Sequence, residues 1–99
     1  MRNLLLLTAL TFAASIAGPA SATGKITCDA PKTQWKGEAN LVRAITAQGW
    51  KVRKAKVDGG CYEVYGTTPT GQRVEAYFHP VTFEKLLVSQ RGKVIFKKS

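Results

Sequence analysis

The feature that most narrows the fold is a series of short apolar–polar alternations cut by very short turns. Residues 50–57, 61–67 and 72–78 each alternate in side-chain character, and Asp58-Gly59-Gly60 and Thr68-Pro69-Thr70-Gly71 separate them. A connection this short joins antiparallel neighbours, because a parallel pair needs a crossover of a dozen or more residues. Glycine and proline supply the backbone conformations that such turns demand. The sequence therefore predicts an antiparallel meander. His79-Pro80 ends the third run, since proline has no N–H to give a ladder. Residues 86–90 read as a fourth strand, Arg91-Gly92 as a turn, and 94–96 as a short last strand.

Before the strands, residues 38–48 carry the helical period. Leu41, Val42 and Ile45 share one face. Glu38 falls in the first turn, where a carboxylate suits the helix dipole. Gly49 fits the C-terminal cap, and Gly37 leaves the exact start open. Asp29-Ala30-Pro31 marks a turn or a helix start, with Trp35 expected to pack on the core. Period-two bookkeeping then sorts the strands. Tyr62, Val64, Val74, Ala76 and Phe78 face one way, and Cys61, Glu63, Tyr65, Arg73, Glu75 and Tyr77 face the other. The first set is apolar enough to take the helix; the second reads as a solvated face. The expected class is α+β: one main helix on a small antiparallel sheet, in α-β-β-β order with further C-terminal strands.

The first 22 residues read as a signal peptide rather than as part of the fold. Arg2 starts them, an apolar run follows, and Gly18-Pro19 and Ala20-Ser21-Ala22 make a small-residue cleavage sequence. The rival reading, a membrane anchor, needs roughly 20 apolar residues, more than this run supplies. Cleavage would leave residues 23–99 as a single exported domain, periplasmic or secreted, with no transmembrane segment. A chain that short buries a thin core and commonly needs a covalent staple. Cys28 and Cys61 are the two cysteines, and an oxidising compartment favours their pairing. Closing a loop of about 30 residues stabilises by about 3–4 kcal/mol. The alternative, a redox pair, lacks the Cys-x-x-Cys spacing. Cys61 falls on the face away from the helix, and a local bulge beside Gly59-Gly60 would aim it at Cys28.

Catalytic chemistry finds little support. His79 is the single histidine, and no Gly-x-Ser-x-Gly elbow accompanies it. It reads as a turn residue rather than a base or metal ligand. Glu63 and Glu75 read as partners for cations across strands rather than as paired catalytic carboxylates. No phosphate loop precedes a helix. Neither an enzyme nor a cofactor or metal site is expected. Charge is the stronger signal: 15 Lys and Arg stand against 6 Asp and Glu, for a net +9. Lys51, Arg53, Lys54 and Lys56 cluster in one strand, and Arg91, Lys93, Lys97 and Lys98 crowd the C-terminus. One reading is edge protection and solubility; the other is an anionic partner. Arg53, Tyr65, Arg73 and Tyr77 are the expected contact patch, because Tyr and Arg dominate interface hot spots. Export argues against a specific nucleic acid as the partner.

Read in order, Gln48-Gly49-Trp50-Lys51-Val52, then Gly60-Cys61-Tyr62-Glu63-Val64-Tyr65-Gly66, then Gly71-Gln72-Arg73-Val74-Glu75-Ala76-Tyr77-Phe78, then His79-Pro80-Val81-Thr82, the chain resembles a PepSY domain. The resemblance spans residues 35–82, and the cysteine pair is like that of small exported members. Two positions depart from the pattern: His79 stands where the family usually has Asp, and Phe83 where it has Gly. The resemblance implies an α+β fold and an exported, non-enzymatic interaction module. It also implies an unidentified envelope protein as partner, with restraint of a peptidase as the family role. The alternative is a charge-driven binder of an anionic envelope surface, lipid or polysaccharide.

Overall fold

The computed structural model describes residues 26–99, so the expected signal peptide lies outside the described residues. A single 3-10 turn, Lys32–Gln34, follows Pro31. Helix α1 spans Glu38–Thr46. Strands β1 (Lys51–Asp58), β2 (Cys61–Thr67), β3 (Arg73–Phe78), β4 (Lys85–Gln90) and β5 (Lys93–Lys97) follow. They lie in chain order in one sheet, and every neighbouring pair is antiparallel. The α+β class and the meander are as the turns predict. Gly59 and Gly60 close the first hairpin, with Asp58 opposite Cys61 and positive φ at both glycines. That is the conformation a two-residue hairpin loop requires.

Helix α1 is short and sharply ended. Gly49 adopts φ 105°. Its N–H donates to Thr46 O, and the Trp50 N–H donates to Ile45 O. This crossed pair of bonds is a Schellman closure, and its usual apolar contact is present because Ile45 and Trp50 share one core. Leu41 and Ile45 bury the helix face against Tyr62, Val64, Val74, Ala76, Phe78 and Val88. Trp35 closes the cluster at the helix start. Its ring meets Tyr62 edge-on at 5.7 Å, and its indole N–H donates to Ala30 O. The Gly37 N–H donates to the Tyr62 hydroxyl at 2.9 Å, so the tyrosine fixes where the helix begins.

The second face differs from the expectation of a solvated surface. Cys61, Glu63, Tyr77, Leu87 and Ser89 are all buried there. Cys61, Tyr77 and Leu87 form a second small core, packed by Ile26, Cys28 and Leu86. The cause is the segment before the helix, which crosses the hairpin of β1 and β2. A disulfide joins Cys28 to Cys61, 33 positions away, and the Cys28 N–H donates to Gly59 O at 2.8 Å. The approach is so close that a side chain at Gly60 would overlap Cys28 O. Cys61 thus keeps the direction that strand alternation gives it. The expected bulge at Cys61 is not needed, because Cys28 comes to that face instead. The irregularity in β1 lies between Val52 and Lys54.

Candidate functional site

The register of the sheet gathers arginines at one end of the second face. Tyr65 pairs with Glu75, and Thr67 with Arg73. Glu75 pairs in turn with Ser89. Continuing that register by two residues sets Arg91, in the turn between β4 and β5, across from Arg73. Arg53 is the extra residue of the β1 bulge, set between Val52 and Lys54; a bulge re-aims its side chain. Arg53, Tyr65, Arg73, Glu75 and Arg91 line a recess of about 140 Å³. Three guanidinium groups around one carboxylate leave the recess net positive. A guanidinium presents a planar fork of donors that matches a carboxylate or phosphate.

Next to the recess lies a strip of charged and aromatic side chains. The ammonium groups of Lys54 and Lys56 each lie 5.6 Å from the Tyr65 ring, a cation–π distance. Lys56 pairs with Glu63 at 3.7 Å, which is the cross-strand pairing expected of Glu63. The Glu63 side chain is only 2% exposed, and its Oε1 makes no hydrogen bond to a described residue. Burial pushes its carboxyl above the usual carboxylate range, while Lys56 pulls the other way. Glu63 in turn raises Lys56. Burial, and then Glu63, push the Tyr65 hydroxyl up.

The four expected contact residues separate here. The structure brings Arg53, Tyr65 and Arg73 together. Tyr77 is corrected: it shares their face but is fully buried, and its hydroxyl donates to Asp58 Oδ2 at 2.7 Å. The segment held by Cys28 covers that part of the sheet, so Tyr77 belongs to the core. Arg91 is the residue that strand-by-strand reading missed, and the β3–β4 register is the signal that finds it.

His79 sits in the turn after β3. Its Nδ1 accepts from the Val81 and Thr82 N–H groups, at 3.1 and 3.3 Å. An aspartate makes this kind of bond to the backbone two and three residues on. The imidazole thus closes the turn after β3 on itself. Phe83, where the resemblance leads one to expect glycine, adopts φ 65°. Its ring lies 6.5 Å from Tyr62 and packs on the main core. No helix among the described residues is long and apolar enough to cross a membrane.

No curated protein and no solved structure matches the chain. A family model does, the peptidase propeptide and YPEB domain, over residues 6–87. That match takes in the helix, the first three strands and the first half of β4, and it begins inside the segment read as a leader. With so much of its length matched, the chain belongs to the PepSY family of peptidase propeptide and YPEB domains.

Proposed function

We propose that this protein is an exported, non-enzymatic interaction module that restrains a peptidase, in the manner of a propeptide acting from a separate chain. The family match over residues 6–87 carries the reading. A disulfide-fastened sheet supports it, because a rigid surface loses little entropy on docking. The contact region is the recess of Arg53, Tyr65, Arg73 and Arg91, which would receive a carboxylate of the peptidase. The test adds the purified, oxidised protein to secreted and envelope fractions of its own source and follows casein cleavage. Restraint predicts a dose-dependent loss of proteolysis that survives about 0.5 M salt, where exposed charge contacts are largely screened. It also predicts relief of that loss by the double variant Arg53→Glu, Arg73→Glu. Unchanged proteolysis in every fraction overturns the reading.

The three-arginine recess also favours a second reading, a binder of anionic lipid or polysaccharide in the envelope. Sedimentation with vesicles rich in phosphatidylglycerol separates the two. Binding that disappears with salt, without any loss of proteolysis, selects the second.

A further inference from the structure

The sheet has a second edge that the arginine recess does not use. Among the described residues no strand pairs with the outer side of β5, which ends the sheet. Val94, Ile95 and Phe96 are consecutive there and are 49%, 42% and 38% exposed. An edge that presents unpaired backbone groups beside exposed apolar side chains is a template for another strand.

The helix leaves the adjoining surface bare. The core that Leu41 and Ile45 of α1 enter extends as far as Val88 of β4 and includes no residue of β5. Towards β5, the face on which Val88 pairs with Phe96 opens into a groove of about 410 Å³. Trp50, Pro69, Lys85, Val88, Ile95 and Phe96 form its walls. Gln48, Thr68, Thr70 and Gln72 complete the lining, and Lys85, whose Nζ lies over the Phe96 ring at 4.4 Å, gives the groove a cationic rim.

Charge decides what fits. Lys93 and Lys97 bracket β5, and Lys98 follows them. The nearby acid Glu84 is already paired with Lys98 at 3.5 Å. A second copy would set an edge carrying Lys93 and Lys97 against an identical cationic edge, within a chain of net +9. Like charges placed directly opposite destabilise a strand pair. An acidic strand meets the same lysines favourably.

We propose that β5 is a docking edge that takes an extended partner segment, apolar at its centre and acidic at its ends, as a sixth strand, with one apolar side chain seated in the groove beside Phe96. This site is separate from the arginine recess and holds whether or not the partner is a peptidase.

The test uses the full oxidised chain and a fluorescein-labelled synthetic peptide, acetyl-TEVTIET-amide, read by anisotropy. Two further peptides accompany it, one with lysine in place of both glutamates and one N-methylated at alternate backbone nitrogens. The expected result is saturable binding of the acidic peptide. Binding should weaken at least tenfold for the lysine peptide, the N-methylated peptide and the Phe96→Lys variant. Arg73→Glu, in the other site, should change it less than twofold. Thermal melting checks that Phe96→Lys folds, and Ile95→Lys is the substitute if it does not. No binding at 1 mM peptide overturns the proposal, as does equal binding of the N-methylated peptide. A dimer that sedimentation finds in the protein alone, and that Phe96→Lys dissociates, overturns it in favour of a second copy. The assay reads no proteolysis, so its failure is distinct from failure of peptidase restraint.

Discussion

The two ends of the sheet are built on opposite terms. At the β1–β2 end, helix α1 lies on one face, and the segment of Ile26 and Cys28 covers the other. A disulfide fastens that segment, and a backbone bond to Gly59 aligns it. The edge strand β1 carries Lys51, Arg53, Lys54 and Lys56 and an irregularity at Arg53, features that discourage further strand addition; β5 has lysines at its two ends and an irregularity at Ile95, but its middle is apolar. At the other end the main core under α1 reaches Val88 of β4 and takes in no residue of β5, and every residue of β5 is exposed. Three successive apolar side chains stand there between two lysines. One meander thus contains a closed margin and an open one. Stability is concentrated at the first, which leaves the second free to carry surface chemistry that folding does not need.

The comparison can be broken most severely at the closed end. Cys61→Ser should cost about 3–4 kcal/mol, and for a domain of this size that lowers the thermal midpoint by about 15–25 °C. A midpoint unchanged under oxidising conditions would mean that the segment holds without its bridge. Next comes the turn between the two ends. His79→Ala removes the acceptor of two backbone N–H groups and should cost about 1 kcal/mol, seen as a lower denaturant midpoint. His79→Asp should restore most of it, because a carboxylate accepts from the same two groups.

Glu63→Gln sharpens the contrast through pH. The folded state raises the carboxyl pKa above its ordinary 4.5. The stability linked to its protonated form is therefore fully present below that ordinary value and is lost as pH rises through the raised one. The Gln variant should melt higher than the parent by a few degrees at pH 7, and the gap should close near pH 4. A gap that widens on acidification would show that the Lys56 pair, rather than burial, governs this site. The smallest effect belongs to the open end: Ile95→Lys should shift stability by no more than about 0.5 kcal/mol, as surface changes generally do. A large loss in denaturant titration would place β5 inside the folding core.

The closed and open ends were unequally legible in the sequence. Gly59-Gly60, Thr68-Pro69-Thr70-Gly71 and Gly49 define the meander and the helix end locally, because turn chemistry and helix closure each depend on a few adjacent residues. The alternation in β2 and β3 correctly gives the apolar face that meets α1. It misjudges the other face because what covers Tyr77 and Leu87 comes from Ile26 and Cys28, far away in sequence. Period two gives the direction of a side chain, not what lies above it. Arg53, Tyr65 and Arg73 meet as expected, but Arg91 joins them only once the order and register of all the strands are known. The exposure of β5 follows from the core under α1 ending at Val88 of β4, and that requires knowing the order of the strands.

The chain has two tryptophans, and the fold assigns one to each circumstance. Trp35 stacks edge-on against Tyr62 beside the helix start. Trp50 packs against Phe78 at 5.6 Å and also forms a wall of the groove next to β5. The protein therefore contains two native optical reporters of separate events. With Trp35→Phe, the remaining indole emission would follow occupancy of the groove; with Trp50→Phe, it would follow loosening of the helix start. Filling one margin and unfolding the other could then be timed in the same molecule without an added label.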